Sequence, residues 1–337
     1  MKVIGFNTSL NIHESDSFIA FDKTIPVPSK QDLLVKIEAI SVNPVDYKVR
    51  QNSLKDKTAE TPKVIGWDAI GTVEAIGEEV TLFKEGDKVY YAGDITKDGC
   101  NQEYQLVEQN IVGLAPKTLT TAQSAAMPLT ALTAYELLFD RMRLSELRDS
   151  GKSILIIGGA GGVGSVAIQM CKQKLGLTVI ATASRTQTKE WCKKMGADYV
   201  VDHGNLSEEM NSIGFQEVDF ILDFVDVNQY WDAFVKLIKP QGQIGSISDP
   251  TKPVELKQLK SKSVSFHWEL MFTRAMFQTE DRIRQHEILN MIASWLDEGV
   301  IVSTVNMVLE GFTVENLKEA HSQLESGKTI GKLVIIF

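Results

Sequence analysis

The glycine pattern at residues 159–164 is the strongest chemical signal in the sequence. The string "GAGGVG" fits the spacing GxGxxG and stands between an apolar run, residues 154–157, and an amphipathic stretch. A glycine-rich turn between a strand and a helix lets a pyrophosphate approach the backbone, and the free N–H groups of the helix N-terminus then bind it. This context predicts a dinucleotide-binding turn. The alternative is a turn whose glycines serve only to pack the helix on the strand.

The residues after the next predicted strand indicate which dinucleotide binds. The strand "LTVIATA" ends at Ala183 and is followed by Ser184 and Arg185. NAD-binding proteins usually carry Asp or Glu here, because a carboxylate accepts a hydrogen bond from the ribose 2′-hydroxyl. This sequence has a hydroxyl and a guanidinium instead, which bind a 2′-phosphate. The pattern predicts NADPH as the cofactor. The alternative is that Arg185 is a solvated loop residue.

Cysteine and histidine do not form a metal-binding pattern in this sequence. The three cysteines lack CxxC spacing, and the five histidines lack HxxH and HxxxH spacing. We therefore expect no metal site and no disulfide framework. A second notable feature is the pair Trp67 and Asp68 in "VIGWDAIGTVEAIG", residues 64–77. The local sequence leaves open whether this pair is core packing or part of a chemical site.

The elements that must position these residues follow two patterns. Residues 1 to about 125 contain short predicted strands with glycine-bounded turns, which is typical of a compact β-barrel or sandwich. From residue 152 to 268 strands alternate with helices, which is typical of a parallel, doubly wound sheet. The strands of this second part are predicted at 153–157, 178–182, 199–202, 218–224, 242–247 and 263–268. Its helices are predicted at 162–175, 187–195 and 228–238, and Pro128 is expected to bend or restart an earlier helix.

Composition and charge exclude several classes of function. The chain has 337 residues, enough for two domains, and its net charge is −9 with 35 basic and 44 acidic residues. A nucleic-acid-binding protein usually has a basic excess, so we expect no nucleic-acid partner. The aliphatic runs are too short to span a bilayer, and the N-terminus has no apolar signal segment. We therefore expect a cytoplasmic protein without a membrane partner.

Several motifs together resemble those of the medium-chain dehydrogenase/reductase superfamily. They are "VNPVDYKVR", "GWDAIGTVEAIG", "EGDKVY", "MPLTALTAYE", "GGAGGVGSVAIQM", "KMGADYVVDH" and "ESGKTIGKLVI", and they extend over essentially the whole chain. Within the superfamily the sequence is most similar to the zinc-free quinone oxidoreductase branch, which includes zeta-crystallin. A close subgroup carries the description "zinc-type alcohol dehydrogenase-like".

The resemblance implies an α/β fold with two domains. Residues 1–125 would form a GroES-like, β-rich catalytic domain completed by the C-terminal segment 270–337. Residues 126–269 would form a Rossmann domain with a doubly wound parallel sheet that binds NADP(H). Relatives are often dimers joined through the cofactor domain, so a homodimer is expected.

The resemblance also implies where a catalytic metal would bind in zinc-dependent relatives. The three ligand positions, Cys, His and Cys in those relatives, fall on Asn43, Trp67 and Leu129. An indole has no free lone pair for a metal and a leucine has no donor atom, so the predicted metal site is none. Trp67 would then either fill the vacated volume and line the substrate site or simply pack in the core.

The remaining site residues are assigned by the same motif alignment. Asn43 is expected to donate an N–H to the substrate oxygen, and Tyr47 to donate a proton, although the tyrosine of many relatives falls at Lys48. Thr133 is similar to a threonine beside the nicotinamide, and His203 to a tyrosine near the adenosine phosphate. The full predicted cofactor set is Thr133, Ala160, Gly161, Gly162, Val163, Ser184, Arg185, Lys189, His203, Phe224, Val225 and Ile247.

These assignments predict a reaction that needs no metal. Zinc lowers the pKa of an alcohol, whereas a quinone or an α,β-unsaturated carbonyl is already electrophilic and accepts hydride directly. We therefore expect hydride transfer from NADPH to a quinone. Reduction of an enal or enone, a zinc-type alcohol dehydrogenase-like role, and a non-catalytic NADPH-binding role, as zeta-crystallin has in lens, stay open as alternatives.

Overall fold

The computed structural model describes all residues, Met1–Phe337. The chain contains fifteen β-strands: β1 Lys2–Gly5, β2 Ile19–Asp22, β3 Asp32–Val42, β4 Ala69–Ile76, β5 Lys88–Tyr91, β6 Tyr104–Glu108, β7 Val112–Leu114, β8 Ser153–Ile157, β9 Thr178–Thr182, β10 Tyr199–Val201, β11 Val218–Asp223, β12 Ile238–Ser246, β13 Ser265–Trp268, β14 Val305–Glu310 and β15 Lys332–Ile336.

The α-helices are eleven in number: α1 Pro44–Asn52, α2 Thr121–Ala125, α3 Pro128–Tyr135, α4 Glu146–Asp149, α5 Gly162–Gln173, α6 Thr186–Lys194, α7 Leu206–Ser212, α8 Val227–Leu237, α9 Thr273–Met276, α10 Arg284–Asp297 and α11 Val314–Glu325. A π-helical turn, Glu136–Arg141, follows α3. None of the helices has both the length and the apolar character that a membrane span requires.

The chain divides into two compact units. The first unit contains Met1–Leu132 together with Phe272–Phe337, and the second contains Thr133–Met271. The sequence predicts the boundaries between the two domains at 125/126 and 269/270. In the structure the first boundary lies between residues 132 and 133, inside the continuous helix α3, Pro128–Tyr135.

The first unit is built on a seven-stranded sheet in the order β14-β15-β3-β4-β5-β7, with β6 also paired to β3. The last strand of the chain, β15, pairs antiparallel with β3, and Ile335 lies opposite Ile40. The apolar residues of β3 are all buried, and this long strand is paired with β4 along one edge and with β15 and β6 along the other. The C-terminal segment is therefore part of the same sheet as the N-terminal strands.

The second unit has a six-stranded sheet in the order β10-β9-β8-β11-β12-β13, in which every pair is parallel. Numbered within the unit this is 3-2-1-4-5-6, the order of a doubly wound nucleotide-binding sheet. The strand order reverses between β8 and β11, whose residues 154–157 and 220–223 are paired. The predicted α/β fold class is confirmed.

Some elements differ from those that the sequence predicts. The helices α1 and α7 are not anticipated by hydrophobic periodicity, because α1 is largely polar and α7 is short. The strand β12 begins at Ile238, earlier than expected, because the chain passes directly from α8 into the sheet. Helix formation stops at Ala125 and restarts at Pro128, whose ring suits the first position of a helix.

A buried histidine lies inside the first unit. The His321 ring is 0% exposed, packs edge-on against Phe18 at 4.9 Å, and neither ring nitrogen has a hydrogen-bond partner in the protein. Burial, with a smaller contribution from the positive charge of Arg50, lowers the pKa of His321 to about 3. The folded unit therefore holds this ring in its neutral form.

We expect His321→Phe to stabilise the protein, and to do so more at pH 5 than at pH 8. Below pH 6.5 the histidine of the unfolded chain binds a proton, whereas the folded protein does not bind it until the pH approaches about 3. The wild type therefore loses stability as the pH falls through this range, and the phenylalanine variant does not. At about 1.36 kcal/mol per pKa unit, the advantage of phenylalanine should grow by about 2 kcal/mol between pH 8 and pH 5. Urea unfolding at both pH values measures this.

The exposed His13 provides the control for this experiment. His13→Phe is the same substitution at an exposed position, and its unfolding free energy measured at both pH values gives the reference for His321→Phe. An advantage of His321→Phe that is the same at pH 5 and pH 8 would show that His321 is not held neutral by the fold.

Candidate active site

The glycine-rich turn lies at the carboxyl end of β8 in the second unit. The strand ends at Ile157, the turn follows, and α5 begins at Gly162 with Gly161 as its N-cap. The backbone N–H of Gly158 donates to Thr182 Oγ1 at the end of β9, at 3.0 Å. The first N–H groups of a helix have no partner within it, so this end of α5 presents free donors and the positive end of the helix dipole.

The glycines of this turn differ in the space around them. A Cβ on Gly164 would lie 2.2 Å from the carbonyl oxygen of Gly158, which is backbone and cannot rotate away. A Cβ on Gly161 would meet only that oxygen, at 3.4 Å, and otherwise open space. Gly164 is therefore required for the close packing of α5 on the turn, whereas Gly161 leaves an open backbone face. This cradle fits a pyrophosphate.

The predicted 2′-phosphate residues follow β9. Ser184 and Arg185 are exposed, and α6 begins at the next residue, Thr186. Lys189 lies one helical turn beyond Arg185 and is half-buried. The backbone around Arg185 is held by Thr188, whose hydroxyl accepts from the N–H of Arg185 at 3.2 Å and donates to its carbonyl oxygen at 2.8 Å. The structure therefore presents a hydroxyl and a guanidinium directly after this strand, where NAD-binding proteins usually carry an acid, and a lysine one helical turn later.

The other predicted cofactor residues follow the ends of further strands. His203 follows β10, Phe224 and Val225 follow β11, and Ile247 follows β12, so all lie toward the edge of the sheet that carries the glycine-rich turn. A Cβ on Gly158 would lie 2.7 Å from Val225 Cγ2, which shows that Val225 packs beside the turn. Thr133 is buried in α3 at the start of the second unit, and its place beside a nicotinamide stays a prediction.

A buried carboxylate that the sequence reasoning missed holds the turn after β11. Asp223 Oδ2 accepts from the hydroxyls of Ser246 at 2.8 Å and Ser248 at 2.6 Å. Its Oδ1 accepts from the backbone N–H groups of Val225 at 3.1 Å and Asp226 at 3.2 Å. The available signal was an aspartate that ends the apolar strand "VDFILD", where a side chain reaches the carboxyl edge of the sheet.

In the first unit the predicted catalytic residues lie at the start of α1. Asn43 is the N-cap of this helix, and its backbone N–H donates to Asp46 Oδ2 at 2.7 Å. The Tyr47 side chain is half-buried. Burial raises the pKa of Asp46 to about 7, against the lowering effects of the Asn43 N–H and the Lys332 charge.

The side chain of Asn43 makes its hydrogen bonds within the protein. It is 1% exposed, its Nδ2 donates to Asp68 Oδ2 at 2.8 Å, and its Oδ1 accepts from Lys332 Nζ. Asp68 Oδ1 accepts from the backbone N–H of Leu129 at 2.7 Å. Burial raises the pKa of Asp68, and the Lys332 charge and the Asn43 amide oppose this. The expected N–H donation from Asn43 to a substrate oxygen therefore has to be corrected, because the amide is directed at Asp68.

Trp67 is buried in the first unit. Its side chain is 1% exposed and packs edge-on against Phe272, with ring centroids 6.0 Å apart. Of the two readings that the sequence left open, the structure favours core packing, because a side chain so completely buried presents almost no surface to a ligand. Its Nε1–H has no hydrogen-bond partner in the protein.

The residues at the three metal-ligand positions do not fit zinc. The side chain of Asn43 is already hydrogen-bonded to a carboxylate and to an ammonium group. The indole of Trp67 has no free lone pair, and Leu129 offers only a backbone N–H, which donates to Asp68. No group of three or more His, Cys, Asp or Glu side chains in the chain is arranged to hold a metal ion. Cys100, which lies close to Asp68, is buried, and burial raises the pKa of its thiol far above the usual value.

Two protein-family models match the chain. The model described as "Alcohol dehydrogenase GroES-like domain" matches residues 29–134, and the model described as "Zinc-binding dehydrogenase" matches residues 195–335. The first lies almost entirely within the first unit, and the second extends over the later part of the second unit and the C-terminal segment of the first.

Three curated proteins illustrate the similarity. A zinc-type alcohol dehydrogenase-like protein of Staphylococcus aureus is 44% identical over 338 aligned positions, 99% of each chain. The 2-methylene-furan-3-one reductase of Solanum lycopersicum is 32% identical, with 94% of this chain and 75% of that protein covered. The NADPH-dependent alkenal/one oxidoreductase of Arabidopsis thaliana is 29% identical, with 92% and 73% covered.

Solved structures show the same similarity. A Rhizobium etli protein, provisionally named a zinc-dependent alcohol dehydrogenase, is 43% identical with a TM-score of 0.94, covering 100% of this chain and 98% of that one. The quinone oxidoreductase of Coxiella burnetii is 26% identical with a TM-score of 0.82, covering 100% and 99%.

Proposed function

This chain belongs to the medium-chain dehydrogenase/reductase superfamily of oxidoreductases, and we propose that within it the chain is an NADPH-dependent reductase of quinones. Two observations carry this proposal: one unit has a glycine-rich turn that fits a dinucleotide, and the residues at the three metal-ligand positions of the other, Asn43, Trp67 and Leu129, do not fit zinc. Similar proteins named as a quinone oxidoreductase and as a 2-methylene-furan-3-one reductase support the same class of reaction.

We propose that the second unit binds NADPH through the predicted residues. The open backbone at Gly161 and the N-terminus of α5 fit the pyrophosphate, and Ser184, Arg185 and Lys189 fit the 2′-phosphate. Phe224, Val225 and Ile247 would line the carboxyl edge of the sheet beside the cofactor. NADPH, when bound, supplies the hydride. Ser184 and Arg185, where an NAD-binding protein usually carries an acid at the end of this strand, support NADPH over NADH.

The acceptor that we propose is a conjugated carbonyl compound. Deprotonating a simple alcohol near neutral pH requires a Lewis acid or a strong base, and Asn43, Trp67 and Leu129 provide neither. A quinone needs only to be oriented, shielded from water and given a proton. The hydroxyl of Tyr47, a half-buried residue at the start of α1, is the proposed proton donor. We propose Asn43 as a positioning residue, since its amide is directed at Asp68.

A panel of acceptors tests this function. We expect the purified protein to oxidise NADPH with 1,4-benzoquinone and, more slowly, with an enal such as 2-hexenal, and not to oxidise ethanol with NADP⁺. Tyr47→Phe should slow the enal reaction more than the quinone reaction, because the enolate formed from the enal is protonated slowly at carbon, whereas the anion formed from the quinone is protonated at oxygen and can take that proton from solvent.

The outcomes of the panel separate the alternatives. Faster turnover of the enal than of the quinone would favour an enone reductase. Turnover of ethanol would contradict the metal-free mechanism. Binding of NADPH without turnover of any acceptor would favour a non-catalytic NADPH-binding protein.

We also propose that the protein is a cytoplasmic homodimer. The strand β13 is at the edge of the parallel sheet, and its Trp268 side chain is 47% exposed. An unpaired strand edge with an exposed aromatic residue is suited to contact a second copy of the chain.

A further inference from the structure

A buried ammonium group, that of Lys332, lies among polar groups of Asn43, Asp68 and Val42 in the first unit. The Lys332 side chain is 3% exposed. Its Nζ donates to Asp68 Oδ2 at 2.9 Å, to the carbonyl oxygen of Val42 at 3.0 Å, and to Asn43 Oδ1. An ammonium group has three N–H donors, so all of them are used. A lysine is almost never buried unless its charge is paired, and here the pairing is complete.

This cluster joins four separate parts of the chain. Val42 ends β3, Asp68 immediately precedes β4, Leu129 lies in the first turn of α3, and Lys332 begins β15. The ammonium group contacts the first two directly, and Asp68 extends the connection to the N–H of Leu129. A single positive charge with several oxygen ligands from distant segments is the arrangement that a structural metal ion otherwise provides.

We propose that Lys332 is a built-in cation that replaces a metal ion in the cluster formed by Asn43, Asp68 and the carbonyl group of Val42. The oxygen atoms that a metal would need already accept from Nζ, and a second cation among them would be repelled by the ammonium group. Although the names of similar proteins contain the word zinc, we do not expect this cluster to bind a zinc ion.

Lys332 is also a positioning residue for the start of α1. Because the ammonium group donates to Asn43 Oδ1, the amide is oriented with its oxygen toward Lys332 and its Nδ2 toward Asp68. The backbone N–H of Asn43 remains bonded to Asp46, so both ends of this residue are held. Tyr47, the proposed proton donor, follows in the same helix turn.

A double-mutant cycle tests the ion pair at the centre of the cluster. We expect Lys332→Met to lower the thermal midpoint by about 6–15 °C, because Asp68 is left buried without its counter-charge. Asp68→Asn should also lower the midpoint, and Lys332→Met combined with Asp68→Asn should lower it by clearly less than the sum of the two. Lys55→Met, at an exposed lysine, is the matched control and should change it little.

Chemical rescue tests whether the cluster needs a cation as such. In Lys332→Ala the missing atoms correspond to n-propylammonium, so n-propylammonium chloride should raise the midpoint of this variant. It should not raise that of the wild type, of Lys332→Met or of Lys55→Ala, and equal concentrations of sodium chloride or n-propanol should not rescue Lys332→Ala. A merely structural alkyl chain would be replaced by n-propanol equally well.

Metal binding is measured on the wild type and on Asp68→Asn after incubation with one equivalent of zinc chloride and gel filtration. We expect no zinc whose retention depends on Asp68. Zinc retained by the wild type and lost in Asp68→Asn would overturn the proposal, as would strictly additive effects in the cycle or rescue by n-propanol alone. If Lys332→Ala does not fold, the cycle with the methionine variants still decides. None of these readouts depends on catalytic activity, so failure here is distinct from failure of the proposed reaction.

Discussion

Gly161→Ala is expected to weaken NADPH binding by about tenfold to hundredfold while leaving the stability of the protein unchanged. Gly161 has φ −74° and ψ 175°, which any residue adopts, and its Cβ would meet only one atom, at 3.4 Å. The new methyl group would project from the open backbone face that we propose for the pyrophosphate. Overpacking by one methyl group costs about 1–3 kcal/mol, which corresponds to this loss of affinity.

Gly164→Ala is the matched variant for this experiment. Its Cβ would lie 2.2 Å from the carbonyl oxygen of Gly158, so the turn and α5 have to move apart. We expect this variant to lose both NADPH affinity and thermal stability. Isothermal titration with NADPH and thermal unfolding separate the two effects. Unchanged NADPH affinity in Gly161→Ala would show that the pyrophosphate does not lie on this face.

Arg185→Ala is expected to raise the dissociation constant of NADPH by about tenfold to hundredfold and to leave that of NADH nearly unchanged. A hydrogen bond to a charged group contributes about 1.5–3 kcal/mol, and only NADPH carries the 2′-phosphate. The Arg185 side chain is exposed, and the backbone beside it is held by Thr188, so the substitution should not disturb β9 or α6. Titration of each variant with both nucleotides provides the measurement and its internal control.

A second variant at the same strand end reverses the preference. Ser184→Asp in the wild-type background should also weaken NADPH binding, because a carboxylate repels the 2′-phosphate. It should strengthen NADH binding, because the carboxylate accepts a hydrogen bond from the ribose 2′-hydroxyl. Equal weakening of both nucleotides in Arg185→Ala would mean that Arg185 supports the structure of the loop rather than the phosphate.

Local patterns in the sequence determined much of the second unit. The strands β8 and β9 and the start of α5 lie where the sequence predicts them, since alternation and helical periodicity act over a few neighbouring residues. The glycine-rich turn is likewise a local motif. Asp223 was missed because its function in the fold depends on Ser246 and Ser248, which the chain brings back one strand later.

The role of individual side chains in the first unit was decided only by the tertiary structure. The resemblance to zinc-dependent relatives implied that Asn43 stands at a metal-ligand position, and its residue type allowed a hydrogen bond to a substrate. Which way an amide points depends on the charges around it, and the charge that orients Asn43 is 289 residues away in the chain. Pairing of β15 with β3 brings Lys332 to the end of β3, where burial requires its three N–H groups to find acceptors. Residue type and spacing determine what chemistry a chain can offer, whereas long-range strand pairing in a low-dielectric core determines which polar groups meet.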